Sequence, residues 1–218
     1  MTLTLTTAQE LAVDRAVAVA SGSKRKLLTI GGYAGSGKST ILSCILEQAP
    51  DAIPCAYTGK AASVMRSKGV DYAGTIHSKI YVCDPKTSTF HPKTREEVRA
   101  QGSYFLVDEA SMVGAAIFRD LMAYGLPVIA VGDHGQLPPV SKDAQNLMES
   151  PDVVLEEIHR QAEDNPIVAF SKWVREAPDL DGAWPDFDPS GDHLAVLERG
   201  QQSTGVSEAA VLRQRCPR

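Results

Sequence analysis

The sequence predicts an α/β domain built on a parallel sheet. Short apolar segments that suit buried strands alternate with longer segments that suit helices, and a glycine-rich turn follows the first strand. The expected strands are residues 27–30, 53–57, 104–107, 127–131 and 153–158, and the expected helices are residues 8–20, 38–48, 61–67, 115–124 and 166–176.

Local signals place these elements in order along the chain. Thr7 and Glu10 have the spacing of a capping box, which predicts the start of the first helix. The apolar run at residues 27–30 leads into the glycine-rich turn, and we expect a helix to follow that turn. The later strands are the remaining short apolar runs, each separated from the next by helical or turn-rich sequence.

Two stretches lack this regularity. Residues 82–103 are polar and rich in Lys, Thr and Pro, and they are too long for an ordinary connection. Residues 177–193 concentrate Asp and Pro, which is typical of a linker or domain boundary. We therefore expect one domain over residues 1–176, a linker or the start of a second domain over 177–198, and an unassigned tail over 199–218.

Composition limits the class of protein. The chain has 218 residues, of which 43% are hydrophobic and 22% charged, as in ordinary globular proteins. Its net charge of −5 conceals an asymmetry, since residues 1–100 carry 13 basic and 8 acidic side chains. We expect one face to bind an anion and another to repel it. No apolar stretch is long enough for a transmembrane helix, and four scattered cysteines with no evident signal peptide favour the cytoplasm.

The segment from Gly32 to Ser39 fits the pattern G-x-x-x-x-G-K-[ST] at every fixed position. It lies between a predicted strand and a predicted helix, where its backbone N–H groups and the helix N-terminus bind phosphate. Lys38 would neutralise the β- and γ-phosphates of ATP, and the Ser39 hydroxyl would bind Mg²⁺. The expected nucleotide contacts are Gly32, Gly35, Ser36, Gly37, Lys38, Ser39 and Thr40.

Asp108 and Glu109 end another buried strand. Asp108 would bind the Mg²⁺ shell and Glu109 would orient and deprotonate the attacking water, although exposed acidic pairs at strand ends are common. Gln136 follows a fourth strand, where it would sense the γ-phosphate or orient water. Alternatively, the segment around Gln136 is only a turn, in which Gly, Asp and Pro serve to reverse the chain direction.

Further motifs accompany these three in a fixed order. They are Tyr57-Thr58-Gly59-Lys60-Ala61-Ala62, Thr75-Ile76-His77-Ser78, Asp108-Glu109-Ala110-Ser111-Met112, Gly132-Asp133-His134-Gly135-Gln136-Leu137-Pro138-Pro139-Val140 and Ile158-His159-Arg160-Gln161. With the glycine-rich loop, this set resembles superfamily 1 DNA helicases of the RecD-like and phage Dda-like branch, over residues 5 to about 176. The resemblance implies a RecA-like fold and ATP-driven 5′→3′ translocation on single-stranded DNA in replication, recombination or repair.

The resemblance also implies roles for individual residues. Gln9 matches a glutamine that recognises adenine, and Arg160 matches an arginine that contacts the γ-phosphate across the cleft. Alternatively, Gln9 is a solvated helix residue, and Arg160 forms a surface ion pair with Glu156 or Glu157. Gln136 matches a motif that couples the γ-phosphate to DNA.

The residues matched to the single-strand track are Thr58, Lys60, Thr75 and His77. Residues 82–103 fall where the family inserts a small hairpin that splits duplex DNA at single/double-strand junctions. Phe90 and His91 would form a stacking tip beside Lys86, Lys93 and Arg95. A disordered loop would share this composition.

The chain also departs from the family. These helicases use two RecA-like domains, and we expect this chain to be truncated before the second, which a protein partner would supply for unwinding. Tyr57 replaces the usual proline, and it would either stack on a base or pack. The alternative functions are a stand-alone DNA-stimulated ATPase or DNA-binding switch and, from another class, a P-loop kinase.

Overall fold

The computed structural model describes residues 4–136 and 147–155, all within the compact unit Met1–Ile158. In chain order the elements are α1 (Thr7–Ala20), β1 (Leu27–Gly32), α2 (Lys38–Gln48), β2 (Ala52–Ala56), α3 (Gly59–Ser67), β3 (Gly74–Thr75), α4 (Ile76–Ile80), β4 (Tyr81–Cys83), β5 (Phe90–Pro92), α5 (Arg95–Arg99), β6 (Tyr104–Asp108), α6 (Ala115–Ala123), β7 (Val128–Gly132) and β8 (Val153–Leu155). A single 3-10 turn, Ala110–Met112, follows β6.

Within the described residues, six strands form one sheet in the order β3-β2-β6-β7-β1-β8. Every neighbouring pair in this sheet is parallel, which confirms the predicted α/β class. Since β7 lies between β1 and β6, the carboxyl ends of these three strands meet at one edge of the sheet. That edge carries the glycine-rich loop, the Asp108–Glu109 pair and the segment that leads to Gln136.

Side chains of the central strands pack alternately on the two faces of the sheet. In β6, Tyr104 and Leu106 join a core beneath α1 and α2, whereas Phe105 and Val107 join a second core beneath α4 and α6. This alternation follows from the two-residue period of a strand. Helices therefore cover both faces, as the continuous apolar character of the strands predicts.

The capping box at the start of α1 lies one residue earlier than predicted. Thr6, not Thr7, is the N-cap, and it has extended backbone geometry. The Thr6 hydroxyl accepts a hydrogen bond from the Gln9 N–H, and the Gln9 side chain accepts one from the Thr6 N–H. Thr7 is already the first residue of the helix, so it is not the N-cap.

The segment predicted as irregular over residues 82–103 contains regular structure. Strands β4 and β5 form an antiparallel hairpin that joins residues 81–83 to residues 90–92, and α5 follows after a capping box between Thr94 and Glu97. The predicted location of Phe90 and His91 at the tip of the hairpin is wrong, because both residues pair within the stem, and the stacking role of Phe90 stays a prediction. Phe90 lies opposite Cys83, and the turn comprises residues 84–89.

Several predictions lie outside the described residues. These are the last part of the strand expected over 153–158, the helix expected over 166–176, Arg160, the Leu137-Pro138-Pro139-Val140 sequence, the linker over 177–198 and the tail over 199–218. The predicted domain boundary after residue 176 lies there too. In the part of the chain that the structure describes, no helix has the length and apolar character needed to cross a membrane.

The Asp152 carboxylate connects the edge strand β8 to its neighbour β1 through hydrogen bonds. Asp152, directly before β8, accepts hydrogen bonds from the Thr29 N–H at 2.9 Å and the Thr29 hydroxyl at 3.0 Å, and it pairs with Arg25. Burial acts to raise the pKa of Asp152, but the hydrogen bonds from Thr29 and Arg25 outweigh burial and lower the pKa.

We expect Asp152→Asn to lower the free energy of unfolding at pH 7 by about 1–2 kcal/mol, because it removes charge-assisted hydrogen bonds. A lowered folded-state pKa means that the stabilisation is present at neutral pH and is lost as the pH falls through that pKa. Urea denaturation at pH 7 and at acidic pH measures both effects. A difference between wild type and variant that persists unchanged in acid would contradict this account.

Candidate functional site

The glycine-rich loop connects β1 to α2 through backbone geometry that requires glycine. Gly35 and Gly37 both have φ of +85°, and Gly37 is the N-cap of α2. Side chains rarely adopt this left-handed region, so both positions favour glycine. A Cβ at Gly32 would also collide with the Ser36 hydroxyl. The loop is thus a tight turn that depends on glycine at these positions, as in loops whose backbone N–H groups bind anions.

Two side chains of the loop point toward its interior. The Lys38 ammonium donates hydrogen bonds to the carbonyl oxygens of Gly32 at 2.7 Å and Tyr33 at 2.8 Å. Ser36 is 1% exposed, and its hydroxyl has no hydrogen-bond partner among the described residues. A positive charge and an unsatisfied buried hydroxyl in one loop suit a ligand rich in acceptor oxygens, such as a phosphate.

Gln9 joins α1 to this loop. Its side chain is 2% exposed and donates a 3.1 Å hydrogen bond to the Ser36 carbonyl oxygen while it completes the capping box with Thr6. Gln9 therefore is not a solvated helix residue, as the alternative interpretation of the sequence held. The structure places the glutamine beside the loop expected to bind nucleotide, and recognition of adenine stays a prediction.

Asp108 and Glu109 lie at the carboxyl end of β6. Burial raises the pKa of Asp108, while the hydrogen bond from the Glu109 N–H and the positive charges of Lys38 and Lys68 oppose that rise. Burial also raises the pKa of Glu109, and the negative charge of Asp108 raises it further. A carboxylate with a raised pKa is a stronger base, which suits a group that removes a proton from water.

The backbone at Glu109 is unusual. Its φ of 55° and ψ of 41° are left-handed, a conformation that a non-glycine residue adopts at an energetic cost. The conformation ends β6 abruptly and begins the 3-10 turn. Such strained residues cluster at functional sites, where the surrounding structure holds them in place.

Gln136 completes this edge of the sheet, and the sequence did not indicate its partners. The Ser111 hydroxyl donates a 2.9 Å hydrogen bond to Gln136 Oε1, and the Gln136 side chain in turn forms a hydrogen bond with Glu109 that lowers the pKa of the carboxyl group. Ser111 is 2% exposed. Hydrogen bonds thus connect Ser111 to Gln136 and Gln136 to Glu109, the predicted base. Of these three residues, only Ser111 was absent from the predicted site.

A cavity of about 380 Å³ opens at this edge. Its lining combines the glycine-rich loop with the carboxylate edge, and the lining residues are Ala34, Gly35, Gly37, Lys38, Ser39, Glu109, Asp133 and Gln136. Asp133, which sequence analysis did not select, is 3% exposed and adds negative charge beside Glu109. The position of Asp133 directly after β7 could have indicated that it belongs to the site. Asp108 ends the neighbouring parallel strand β6, so the two carboxylates lie at the same edge of the sheet.

Other contacts connect the loop to its surroundings. The rings of Tyr33 and His134 lie 4.3 Å apart, which joins the glycine-rich loop to the segment that carries Gln136. The Lys68 ammonium donates a 2.7 Å hydrogen bond to the Ser39 hydroxyl. Thr40 is half-buried in the first turn of α2. Tyr33, His134 and Lys68 were absent from the predicted site, since nothing in their local sequence pattern indicates a partner so distant in the chain.

Three of the residues matched to the single-strand track lie at or just after the carboxyl ends of β2 and β3. The Thr58 hydroxyl accepts a hydrogen bond from the Ala61 N–H and so caps α3, and Thr75 caps α4 in the same way through Ser78. Capping uses a lone pair of the hydroxyl oxygen, so its hydrogen can still be donated to a phosphate. Lys60 is exposed in the first turn of α3.

His77, the fourth residue of that set, lies near Phe90 of the β4–β5 hairpin. The ring of His77 lies 5.6 Å from the ring of Tyr81 and 6.1 Å from that of Phe90, and the Tyr81 and Phe90 rings are 6.3 Å apart. Phe90 is 59% exposed. The structure therefore gathers predicted residues from α4 and β5 into one aromatic surface cluster, comprising His77, Tyr81 and Phe90.

A glycine-rich phosphate loop after one strand and carboxylates at the ends of its neighbours define a P-loop nucleoside-triphosphatase domain of the RecA-like type. A family model described as an AAA domain (AAA_30) matches residues 4–181. The chain belongs to this family, the Pif1/RecD-like helicases, which confirms the resemblance drawn from its motifs. None of the curated protein sequences matches the chain.

Solved structures of Pif1 helicases share the fold. Bacteroides Pif1 in complex with ADP-AlF4 is 24% identical with a TM-score of 0.51, over 73% of this chain and 43% of that one. Candida albicans Pif1 is 21% identical with a TM-score of 0.56, over 79% and 44%. Bacteroides Pif1 with ADP-AlF3 and single-stranded DNA is 22% identical with a TM-score of 0.54, over 79% and 46%. This chain thus spans less than half the length of the helicases it matches.

Proposed function

We propose that this chain is the ATP-hydrolysing motor domain of a DNA helicase that translocates 5′→3′ on single-stranded DNA. The observation that carries the proposal is the single cavity at which the glycine-rich loop, Lys38, Glu109 and Gln136 converge. Structures of similar fold are described as complexes with ADP-AlF4, and with ADP-AlF3 and single-stranded DNA, which supports both ligands. The direction rests on the RecD-like resemblance alone.

In the proposed reaction, water attacks the γ-phosphate of ATP in line with the departing ADP. Glu109 accepts the proton of that water, and Gln136 holds Glu109 in position through their hydrogen bond. Lys38 and the N–H groups of the loop stabilise the negative charge that develops on the phosphate oxygens. Arg160 is proposed to contact the γ-phosphate as well.

The expected Mg²⁺ site consists of Ser39 and Asp108, a hydroxyl and a carboxylate, which are the oxygen donors that Mg²⁺ prefers. The Ser39 oxygen lines the cavity and has a lone pair that accepts a hydrogen bond from the Lys68 ammonium. These residues fit the metal. When bound, Mg²⁺ would neutralise phosphate charge and orient the β- and γ-phosphates.

On the DNA side, we propose that phosphates contact Thr58, Lys60 and Thr75 while bases stack on the aromatic cluster. Hydroxyl and ammonium groups bind phosphates without recognising sequence, and every base has a face that stacks on a ring. Strand separation at a junction is proposed to involve the β4–β5 hairpin.

The test is an ATPase assay on the purified chain with and without single-stranded DNA, beside an unwinding assay on a forked duplex. We expect ATP turnover that single-stranded DNA stimulates. ATP turnover that single-stranded DNA leaves unchanged would overturn the proposed coupling to DNA, and unwinding of the forked duplex would establish helicase activity directly. Transfer of phosphate to a nucleoside without DNA would instead establish a P-loop kinase and refute the helicase proposal.

Replacing Phe90 by alanine tests the aromatic cluster. We expect Phe90→Ala to weaken binding of single-stranded DNA by about 1–3 kcal/mol, the contribution of one stacked base. Val82→Ala is the matched control, because Val82 is 48% exposed on the same hairpin but has no ring. Fluorescence anisotropy with labelled oligonucleotides measures both affinities. Equal affinities of the two variants would remove Phe90 from the proposed DNA surface.

A further inference from the structure

Lys68 contacts the predicted metal ligand from another part of the fold. It is the C-cap of α3, and its ammonium lies 2.7 Å from the Ser39 hydroxyl oxygen at the start of α2. Both side chains are exposed, so the contact forms at the open face of the site. Neither the glycine-rich motif nor the sequence around Lys68 indicates this pairing.

The lysine of the glycine-rich loop makes a different contact. The Lys38 ammonium donates hydrogen bonds to the carbonyl oxygens of Gly32 and Tyr33, whereas the Lys68 ammonium donates to the Ser39 hydroxyl oxygen. Lys68 is therefore a cation placed directly on an expected ligand of Mg²⁺.

We propose that Lys68 competes with Mg²⁺ for the Ser39 hydroxyl, so that the metal–nucleotide complex binds only as the Lys68 ammonium leaves. The inference rests on the proposed function, since it requires nucleotide with Mg²⁺. An oxygen that accepts a hydrogen bond from an ammonium directs a lone pair at it, and two cations on one small oxygen repel one another. The flexible four-carbon stem and the exposure of Lys68 allow the side chain to leave.

Without Mg²⁺, the Lys68 charge has the opposite effect. A lysine beside the loop attracts the phosphates of a nucleotide, so Lys68 would strengthen the binding of metal-free nucleotide. The inference therefore predicts a change in the Mg²⁺ dependence of binding rather than a uniform change in affinity. A lysine that merely packs at the end of α3 would leave that dependence unaltered.

The experiment measures the Kd of fluorescent ADP in excess Mg²⁺ and in EDTA for wild type, Lys68→Ala and Lys68→Arg. We expect Lys68→Ala to raise the ratio of the EDTA Kd to the Mg²⁺ Kd by about fivefold or more, the effect of losing one nearby charge. Lys68→Arg retains the positive charge, so its ratio of the EDTA Kd to the Mg²⁺ Kd should stay near the wild-type value. Lys24→Ala, a change at an exposed lysine in the loop before β1, is the control.

Circular dichroism establishes that each variant is folded. An unchanged or lower ratio in Lys68→Ala would overturn the inference while leaving the proposed function intact, provided that wild type binds the nucleotide. A wild-type chain that binds no nucleotide under either condition would overturn the proposed function and this inference with it.

Discussion

Replacing Lys38 by alanine is expected to reduce ATP turnover by at least about 100-fold, the usual effect of removing one preorganised charge from a transition state. Lys38 lines the cavity, and its ammonium is held by the carbonyl oxygens of Gly32 and Tyr33, so it is already positioned within the loop. Phosphate release in the presence of single-stranded DNA measures the loss. Turnover within a few-fold of wild type would exclude the loop as the site of hydrolysis.

Lys24→Ala serves as the matched control for Lys38→Ala. It removes the same charge from an exposed position before β1, and we expect it to leave turnover unchanged. The net charge of the two variants is identical, so a difference between them cannot arise from general electrostatics. Thermal unfolding should show that both remain folded, because neither side chain contributes to the two hydrophobic cores.

Glu109→Gln is expected to reduce turnover by about 10²–10⁴-fold, the range for losing a general base, while nucleotide binding is retained. Glutamine preserves the size of the side chain but accepts no proton. The measurement pairs phosphate release with a nucleotide-binding titration. Loss of binding together with turnover would show that Glu109 acts on affinity instead, and Glu96→Gln on exposed α5 provides the control.

The pH dependence follows from the same residue. Burial and the charge of Asp108 raise the pKa of Glu109 above its ordinary value. Since the ionised form is the base, wild-type turnover should fall on acidification at a higher pH than an ordinary glutamate would give. If turnover instead falls at the pH expected for an ordinary glutamate, the result would contradict the role of Glu109 as the base.

The stability of Glu109→Gln should change in the opposite direction to its activity. Because the pKa of Glu109 is raised in the folded state, ionisation of this side chain lowers the free energy of unfolding. The protein is therefore most stable below the unfolded-state pKa of Glu109, and its stability declines as the pH rises through the folded-state pKa. Removing the charge should therefore raise Tm at pH 7. The strained backbone at Glu109 remains in both proteins, so it does not affect the comparison.

Much of the fold and of the site could be predicted from short-range pattern. The strand, loop and helix around Gly32–Ser39 form a contiguous unit, and the carboxylates at 108 and 109 end an apolar run that only a buried strand explains. The elements whose bounds were not predicted, β3 to α5, are two to five residues long, although the resemblance implied a hairpin within residues 82–103. Segments that short carry too few residues for hydrophobic periodicity to be visible.

Partners could not be predicted where they come from distant parts of the chain. Phe90 was expected at a hairpin tip, but the register of β4 against β5 places it in the stem beside His77 and Tyr81. Register depends on the hydrophobic pattern of the strands and on the geometry of the turn, and composition does not encode it. The prediction of Thr7 as the N-cap was wrong because the local sequence fits two positions equally well. Gln9 lies three residues after Thr6, and Glu10 lies three residues after Thr7.

The sequence by itself determined the class of fold, the phosphate loop and the carboxylate pair, because each is encoded by neighbouring residues in one segment. Only the tertiary structure decided that Gln136 holds Glu109, that Gln9 supports Ser36 and that Lys68 faces Ser39. These contacts depend on the strand order β3-β2-β6-β7-β1-β8 and on the helices packed against it. Alternation of strands and helices is compatible with many strand orders, and long-range packing selects among them.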